Sequence, residues 1–273
     1  MTLKSIGKIF IYVAIALLLV IYLLPIYFIV ITSLKSTSEA SVLSLSLPKE
    51  WIFDNYRKVF VEGNLLRPLA NGAFISLTVV GITMLLSSVT AFVIQRRKSG
   101  FSTFMYKYLL AGLIAPFSII PAIKLLQVMH LMGTYTGLIL IDVACALPFN
   151  TLLFAGFIKG IPKDLDEAGI IDGAKPIRLF FQIIFPLLKP AIATNFILLF
   201  TSIWNDFQNV LYFLPDSKKW TMPMTIYDFQ GLHTNDYSLV FADMIFLLLP
   251  VIIIFLLAQK YIVTGMVAGA IKG

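Results

Sequence analysis

The sequence predicts an all-α integral membrane protein with six transmembrane helices, from a large apolar excess, long charge-free runs and basic residues gathered between them. Of 273 residues, 59% are apolar and 13% charged, about half the charged share of a soluble domain. Mean hydropathy is +0.92. A soluble fold of this length has too little interior to hide that much apolar surface. The net charge of +7 does not indicate a nucleic-acid partner, which would need basic residues on one soluble face. Here they stand in short clusters between apolar runs, as loops flanking membrane spans do. Lipid is the expected surrounding.

About 20 apolar residues at about 1.5 Å each cross the hydrocarbon core. The first run, Ile9 to Leu34, follows Lys4 and Lys8. It is longer than a signal-peptide core and no small-residue cleavage site is evident near its end, so it is expected to stay as a span. The second runs from Pro68 to Gln95. The third, Tyr108 to Ile123, is short and must borrow its flanks. The fourth covers Tyr135 to Ile158, interrupted by Asp142, and the fifth Ala191 to Leu214, interrupted by Asp206. The sixth covers Leu239 to Ala258, with Asp243 near its start and expected to be solvated at the interface. Pro116, Pro121 and Pro148 are expected to kink or break the third and fourth spans, either as flexible points or as packed static bends.

An even number of spans puts both termini on one side. With the termini inside, 13 of the 21 Lys and Arg residues are cytoplasmic, the Arg96-Arg97-Lys98 cluster among them. The positive-inside rule therefore predicts a multi-pass plasma-membrane protein with cytoplasmic termini. One transmembrane domain over residues 1–273 is expected, with outer loops at about 32–67 and 215–238 and a cytoplasmic loop at about 159–189.

One cysteine, Cys145, rules out an internal disulfide and reads as a small core residue. His130 and His233 lack ligand-spaced neighbours, so no metal site is expected. No catalytic residue is assigned.

The cytoplasmic loop is the most informative segment. Pro162 suits a first helical turn, and Asp164 and Asp166 complement the positive end of the helix dipole. Gly173 can take the left-handed conformation that stops a helix, and Pro176 restarts one. The expectation is a helix of about three turns, a sharp bend and a second helix entering the membrane. Ala168, Gly169, Gly173 and Ala174 are small and admit a close backbone. Ile161, Leu165 and Ala168 form an apolar stripe at i, i+4, i+7. Such a helix suits a partner's groove, and equally a lipid surface.

Glu167-Ala168-Gly169, then Gly173, Ile183 and Pro186 resemble the E-A-A-x3-G-x9-I-x-L-P signature of permease subunits of ABC importers, with Gly169 for the second Ala and Phe185 for Leu. Other stretches resemble the same family: Leu24-Pro25 through Ser33-Leu34-Lys35, Asn71 through Leu77, and Trp204-Asn205-Asp206-Phe207. The ending from Gln259-Lys260-Tyr261 to Ile271-Lys272-Gly273 resembles the smaller, second permease of maltose-type systems, in the carbohydrate-uptake branch.

The resemblance implies a type I importer permease whose loop is a coupling helix seated in an ATPase subunit. It assigns ATPase coupling to Glu167, Ala168, Gly169, Asp172, Gly173 and Ala174, and a tail contact with the ATPase to Gly269, Lys272 and Gly273. The implied partners are a second homologous permease, two ATP-binding subunits and an extracytoplasmic sugar-binding protein. The chain has no G-x4-G-K-[ST] phosphate loop, so no cofactor is expected in it, and the partner ATPase would bind ATP and Mg.

A mid-membrane carboxylate costs several kcal/mol unless it faces protein or water. Trp204, Asn205 and Asp206, with Trp204 and Phe207 on neighbouring helix positions, are expected to line a translocation path; the competing reading is a helix-helix hydrogen-bond cluster. Specific transport of a sugar or oligosaccharide is the function expected. An autonomous secondary transporter or channel protomer is the alternative, and would show repeated halves and midplane carboxylates. An intramembrane enzyme would need a matched nucleophile and base or metal ligands, which the sequence lacks.

Overall fold

The structure is a computed structural model that describes residues 3–97, 99–229 and 236–270, and its elements among these are helical. In order they are α1 (Leu3–Ser33), α2 (Thr37–Ala40), α3 (Asp54–Glu62), α4 (Leu66–Arg96), α5 (Gly100–Ile114), α6 (Ile119–Val128), α7 (Tyr135–Lys159) and α8 (Asp164–Ile171). Next come α9 (Pro176–Arg178), a π-helical turn at Leu179–Ile184, α10 (Phe185–Leu187), α11 (Lys189–Trp204), α12 (Gln208–Phe213) and, after two 3₁₀ turns, α13 (Tyr237–Ala270). Within α1, α4, α7 and α13 lie stretches long and apolar enough to cross a membrane. Two bent pairs bring the spans to six when each pair counts as one.

The third span differs from expectation. The run from Tyr108 to Ile123 is not one helix but the junction of α5 and α6, bent by 118°. Pro116 lies in the break, and the residue before it, Ala115, is extended at ψ 127°. A proline removes a helical donor and pushes its predecessor out of the α region, so charge-free length alone was a poor guide there. Pro121 sits in the first turn of α6, where the N–H it lacks has no intrahelical partner anyway. Pro148 leaves α7 continuous over 25 residues. It packs against Gly112 of α5, where an added Cβ would lie 3.3 Å from Pro148 Cγ. The expected break at Pro148 is absent, and its ring packs against α5 instead.

The chain forms two compact units. The first joins Met1–Leu66 to Thr225–Pro250. Here the segment after α1 is tied down by polar contacts. Asn55 Nδ2 donates to the carbonyls of Ser33 and Lys35, both at 2.9 Å. The fully buried Lys35 donates from Nζ to Ser44 O at 2.7 Å. Phe28 of α1 meets Phe241 of α13 edge to face. Asp243, expected to be solvated, is buried and accepts from Thr225 Oγ1 at 2.7 Å. A hydroxyl 18 residues away in sequence binds one oxygen of the carboxylate inside the fold.

The second unit joins Arg67–Met224 to the chain from Val251. Ile75 and Val79 of α4 are buried with Leu138, Ile139 and Val143 of α7 and Val210 and Phe213 of α12. Further along, Ala91 of α4 joins Phe154, Ala155 and Ile158 of α7 with Phe180 and Ile184 of the π turn. So α4, 31 residues and about 46 Å long, contributes to an apolar cluster at each end.

The α5–α7 contact gives a stability test. Gly112→Val should overpack the site against the Pro148 ring and cost about 1–3 kcal/mol. Gly81→Ala, on an open face of α4 where an added Cβ meets nothing within 4 Å, should be neutral or stabilise by up to about 1 kcal/mol. Thermal unfolding in detergent should separate the two; equal melting temperatures would disprove the tight Gly112–Pro148 contact.

Candidate functional site

Two places draw together the sequence-assigned residues: the loop around α8, and the break between α11 and α12.

In the loop, α8 runs for eight residues, about two turns and not three, because Pro162 lies outside it and helix begins at Asp164. Asp164, Asp166 and Glu167 fill the first turn. The helix closes with Gly173 at φ +77°. Gly173 N donates to Ile170 O at 3.0 Å and Ala174 N to Gly169 O at 2.9 Å. That is a Schellman closure, which needs a left-handed residue after the helix. Nothing lies within 4 Å of an added Cβ at Gly173, so the glycine answers to backbone conformation and not to crowding within the chain.

The two faces of α8 divide the assigned residues. Glu167, Ala168, Asp172 and Gly173 are exposed, and Ala174 is half-buried. Ile170, Ile171 and Ile177 add an apolar surface that is more than half exposed. Gly169 is buried: an added Cβ would lie 2.6 Å from Ile183 Cδ1 and 2.9 Å from Leu179 Cδ1. Its small size thus serves packing onto the following helix. The expected stripe is also revised. Ile161 precedes α8 and packs into the cluster around Phe154 and Ile158, while Leu165 and Ala168 are exposed.

Asp166 does more than complement a dipole. It is buried, and its carboxylate meets Arg96 from the last turn of α4, with Nε 2.5 Å from Oδ2. Arg96 Nη2 lies 3.4 Å from Asp166 Oδ1 and donates to Ile161 O at 3.0 Å. One guanidinium therefore joins the end of α4, the α7–α8 connection and α8. Of the basic cluster read as a topology signal, Arg96 is paired internally, Arg97 is exposed and Lys98 lies outside the described residues. Removing one partner of a buried pair costs about 3–5 kcal/mol, yet replacing both by apolar groups is often neutral.

At the second place, α11 ends at Trp204 and the chain leaves the helical path through Asn205–Phe207 before α12 begins. Trp204 and Phe207 are therefore on opposite sides of a break and not on neighbouring helix positions. Trp204 is buried, stacks on Phe200 with centroids 5.6 Å apart, and faces Gly72 of α4, where a Cβ would come within 3.2 Å of the indole. Asn205 is exposed. Asp206 Oδ1 accepts from Asn209 N at 3.0 Å, which closes the start of α12. Asn209 Nδ2 donates to Oδ1 of the buried Asp142 at 2.9 Å, bridging α12 to α7. Asp142, Cys145, Ser202, Asp206 and Asn209 line a cavity of about 330 Å³. Cys145, expected in the core, is exposed at this cavity.

Asn71 has a comparable role near the other end of α4. Its Nδ2 donates to the carbonyls of Lys218 and Trp220, at 3.1 and 2.9 Å, and its Oδ1 accepts from Tyr135 Oη at 2.9 Å. Arg96 and Asn209 escaped sequence reasoning as site residues. The i, i+3 pairing of Asp206 with Asn209 was the available signal for the second; nothing in sequence marked Arg96 as the partner of Asp166. Gly269 is in the helical backbone of α13, whereas Lys272 and Gly273 of the expected tail contact lie outside the described residues. Among the described residues no group of His, Cys, Asp and Glu is placed to hold a metal.

Long apolar helices with an exposed, glycine-closed loop after α7 are the arrangement expected of an importer permease. The family described as the binding-protein-dependent transport system inner membrane component matches residues 68–267, and the chain belongs to it. It is 32% identical over 255 residues to the melibiose/raffinose/stachyose import permease of Bacillus subtilis, covering 92% of each chain. It is 34% identical to a multiple sugar-binding transport system permease of Streptococcus mutans, covering 93% of each. In fold it matches a chain of a bacterial ABC transporter involved in import of the acidic polysaccharide alginate, with TM-score 0.84, 23% identity and coverage of 94% of this chain and 97% of that one.

The Asn209–Asp142 bridge predicts a non-additive pair. Asn209→Leu leaves a buried carboxyl without its donor and should destabilise by about 1–3 kcal/mol, whereas Asn209→Leu with Asp142→Leu should recover much of the loss. Additive losses in detergent unfolding would show the bridge to be idle.

Proposed function

We propose that the chain is one of two different permease subunits of an ATP-driven importer of sugars or oligosaccharides, with its α8 loop as the docking element for an ATPase subunit. The exposed face of Glu167, Ala168, Ile170, Ile171, Asp172 and Gly173, closed by a left-handed glycine, carries the reading. A short helix with an apolar and acidic outer face fits a groove with a basic rim. The named substrates of the curated relatives, melibiose, raffinose and stachyose among them, support a sugar.

In this reading the termini and the α8 loop are cytoplasmic, and the 1–273 chain acts as one permease domain. ATP and Mg are held by two partner ATPases and none by this chain; an extracytoplasmic binding protein delivers the sugar. The C-terminal residues Gly269, Lys272 and Gly273 make a second ATPase contact. Asn205 and Asp206 face the translocation path, backed by Trp204. Alternating access follows as a rigid-body shift driven through the docking loop.

Gly173→Asp should uncouple transport more severely than Glu167→Ala. It places a side chain at positive φ, at about 1–2 kcal/mol, and adds bulk and an unpaired charge on the docking face. Gly173→Ala, carrying the strain alone, should fall between. Co-purification of the ATPase with the complex and sugar uptake by cells carrying it are the measurements. Full association and full uptake with Gly173→Asp would reject the docking assignment.

Asn205→Ala should lower uptake while the complex purifies intact, since the exposed amide lies outside the Asp206–Asn209–Asp142 bonds. Failure of the complex to assemble would instead make the residue a packing element.

A further inference from the structure

We infer that Arg96 and Asp166 are positioning residues that fix the docking helix to the end of α4, and that α4 carries movement between that helix and the opposite end of the unit. The inference rests on the docking role proposed for α8. Within the chain, α8 is held on two sides. Gly169 lets its inner face sit on Leu179 and Ile183, which follow it in sequence. The Arg96 guanidinium ties it to a helix that ends 70 residues before Asp166. Through Nη2 the same guanidinium holds Ile161 O, so α8 and the strand of chain entering it are fastened to one point.

The other end of α4 is fastened as well. Asn71, 25 residues before Arg96 and about 37 Å away along a helix, uses both amide atoms on Tyr135, Lys218 and Trp220. Gly72 receives the Trp204 indole beside the α11–α12 break. Lys219, between the two carbonyls that Asn71 holds, donates from Nζ to Gly133 O at 2.6 Å. One uninterrupted helix, longer than the hydrocarbon core of about 30 Å, thus has polar fastenings at both ends. One set reaches the docking helix, and the other reaches the 218–220 segment and the break that borders the cavity. The α-helical hydrogen-bond ladder resists stretching, so a displacement of α8 shifts the far contacts with it. The guanidinium is well suited to this: it meets the carboxylate through Nε and Nη2 while Nη2 also holds Ile161 O, which fixes direction as well as distance.

The test uses the whole importer, reconstituted in lipid with its partner permease, its ATPase subunits and its binding protein. Stimulation of ATP hydrolysis by the binding protein, added on the side away from the ATPases, reads communication across the membrane. Basal hydrolysis and ATPase co-purification read assembly. Arg96→Met and Asp166→Asn should keep ATPase association and basal hydrolysis, and lower the stimulation by about threefold to thirtyfold. Arg96→Lys should lose less. Arg96→Asp combined with Asp166→Arg should recover most of the stimulation, because the pair is remade in the opposite sense. If Arg96→Met fails to assemble, Arg96→Lys and Asp166→Asn carry the same comparison.

Normal stimulation in the single variants, or a reversed pair no better than either, would overturn the clamp. That outcome is distinct from failure of the docking reading, in which Gly173→Asp keeps full ATPase association and uptake whatever the Arg96 variants do.

Discussion

The hydrocarbon interior offers no water to a broken backbone, so every departure from helix within a span must be satisfied from inside the protein. That constraint governs the second unit. The break after Trp204 is closed by Asp206 on the Asn209 amide, and the Asn209 side chain is in turn committed to Asp142. The break at Ala115–Ser118 contains a proline, which has no N–H to satisfy. The chain bends where it can pay locally for the lost ladder, and α4 and α7 remain whole as the members against which the bent pairs pack.

Much of this is legible in sequence, and the illegible part has a pattern. Apolar run length reads the four long spans and the loop after α7, because burial in lipid is recorded in composition one residue at a time; the fifth, expected from Ala191 to Leu214, is a bent pair over Pro176–Leu187 and Lys189–Trp204 instead. Gly173 is equally local: a closing glycine three residues before a proline leaves few alternatives to a left-handed turn, and φ +77° follows. What is not legible depends on two distant residues together. Asp166 reads as a dipole complement until Arg96 is seen beside it. Asp243 reads as solvated until Thr225 reaches it, and Gly169 reads as room for a partner until Ile183 fills it. The third span failed for a different reason, since a single proline outweighed sixteen charge-free positions.

The loop illustrates how one short helix satisfies two masters. Positions 166 and 169, three apart, face inward, while 167, 168, 170 and 171 face outward. The inward pair is one charged and one absent side chain, so the helix is both oriented and brought close. The outward set is then free to meet another protein without surrendering its attachment to the membrane unit.

Cys145 is the chain's one thiol, and it lines the Asp142–Asp206 cavity. The chain therefore carries its own chemical reporter at that spot, with no engineered cysteine and no second thiol of its own to remove. Alkylation by a charged, membrane-impermeant reagent proceeds only where water and reagent both arrive. The rate at this sulfur, followed through successive nucleotide states of an assembled importer, would time the wetting of the cavity against the hydrolytic cycle.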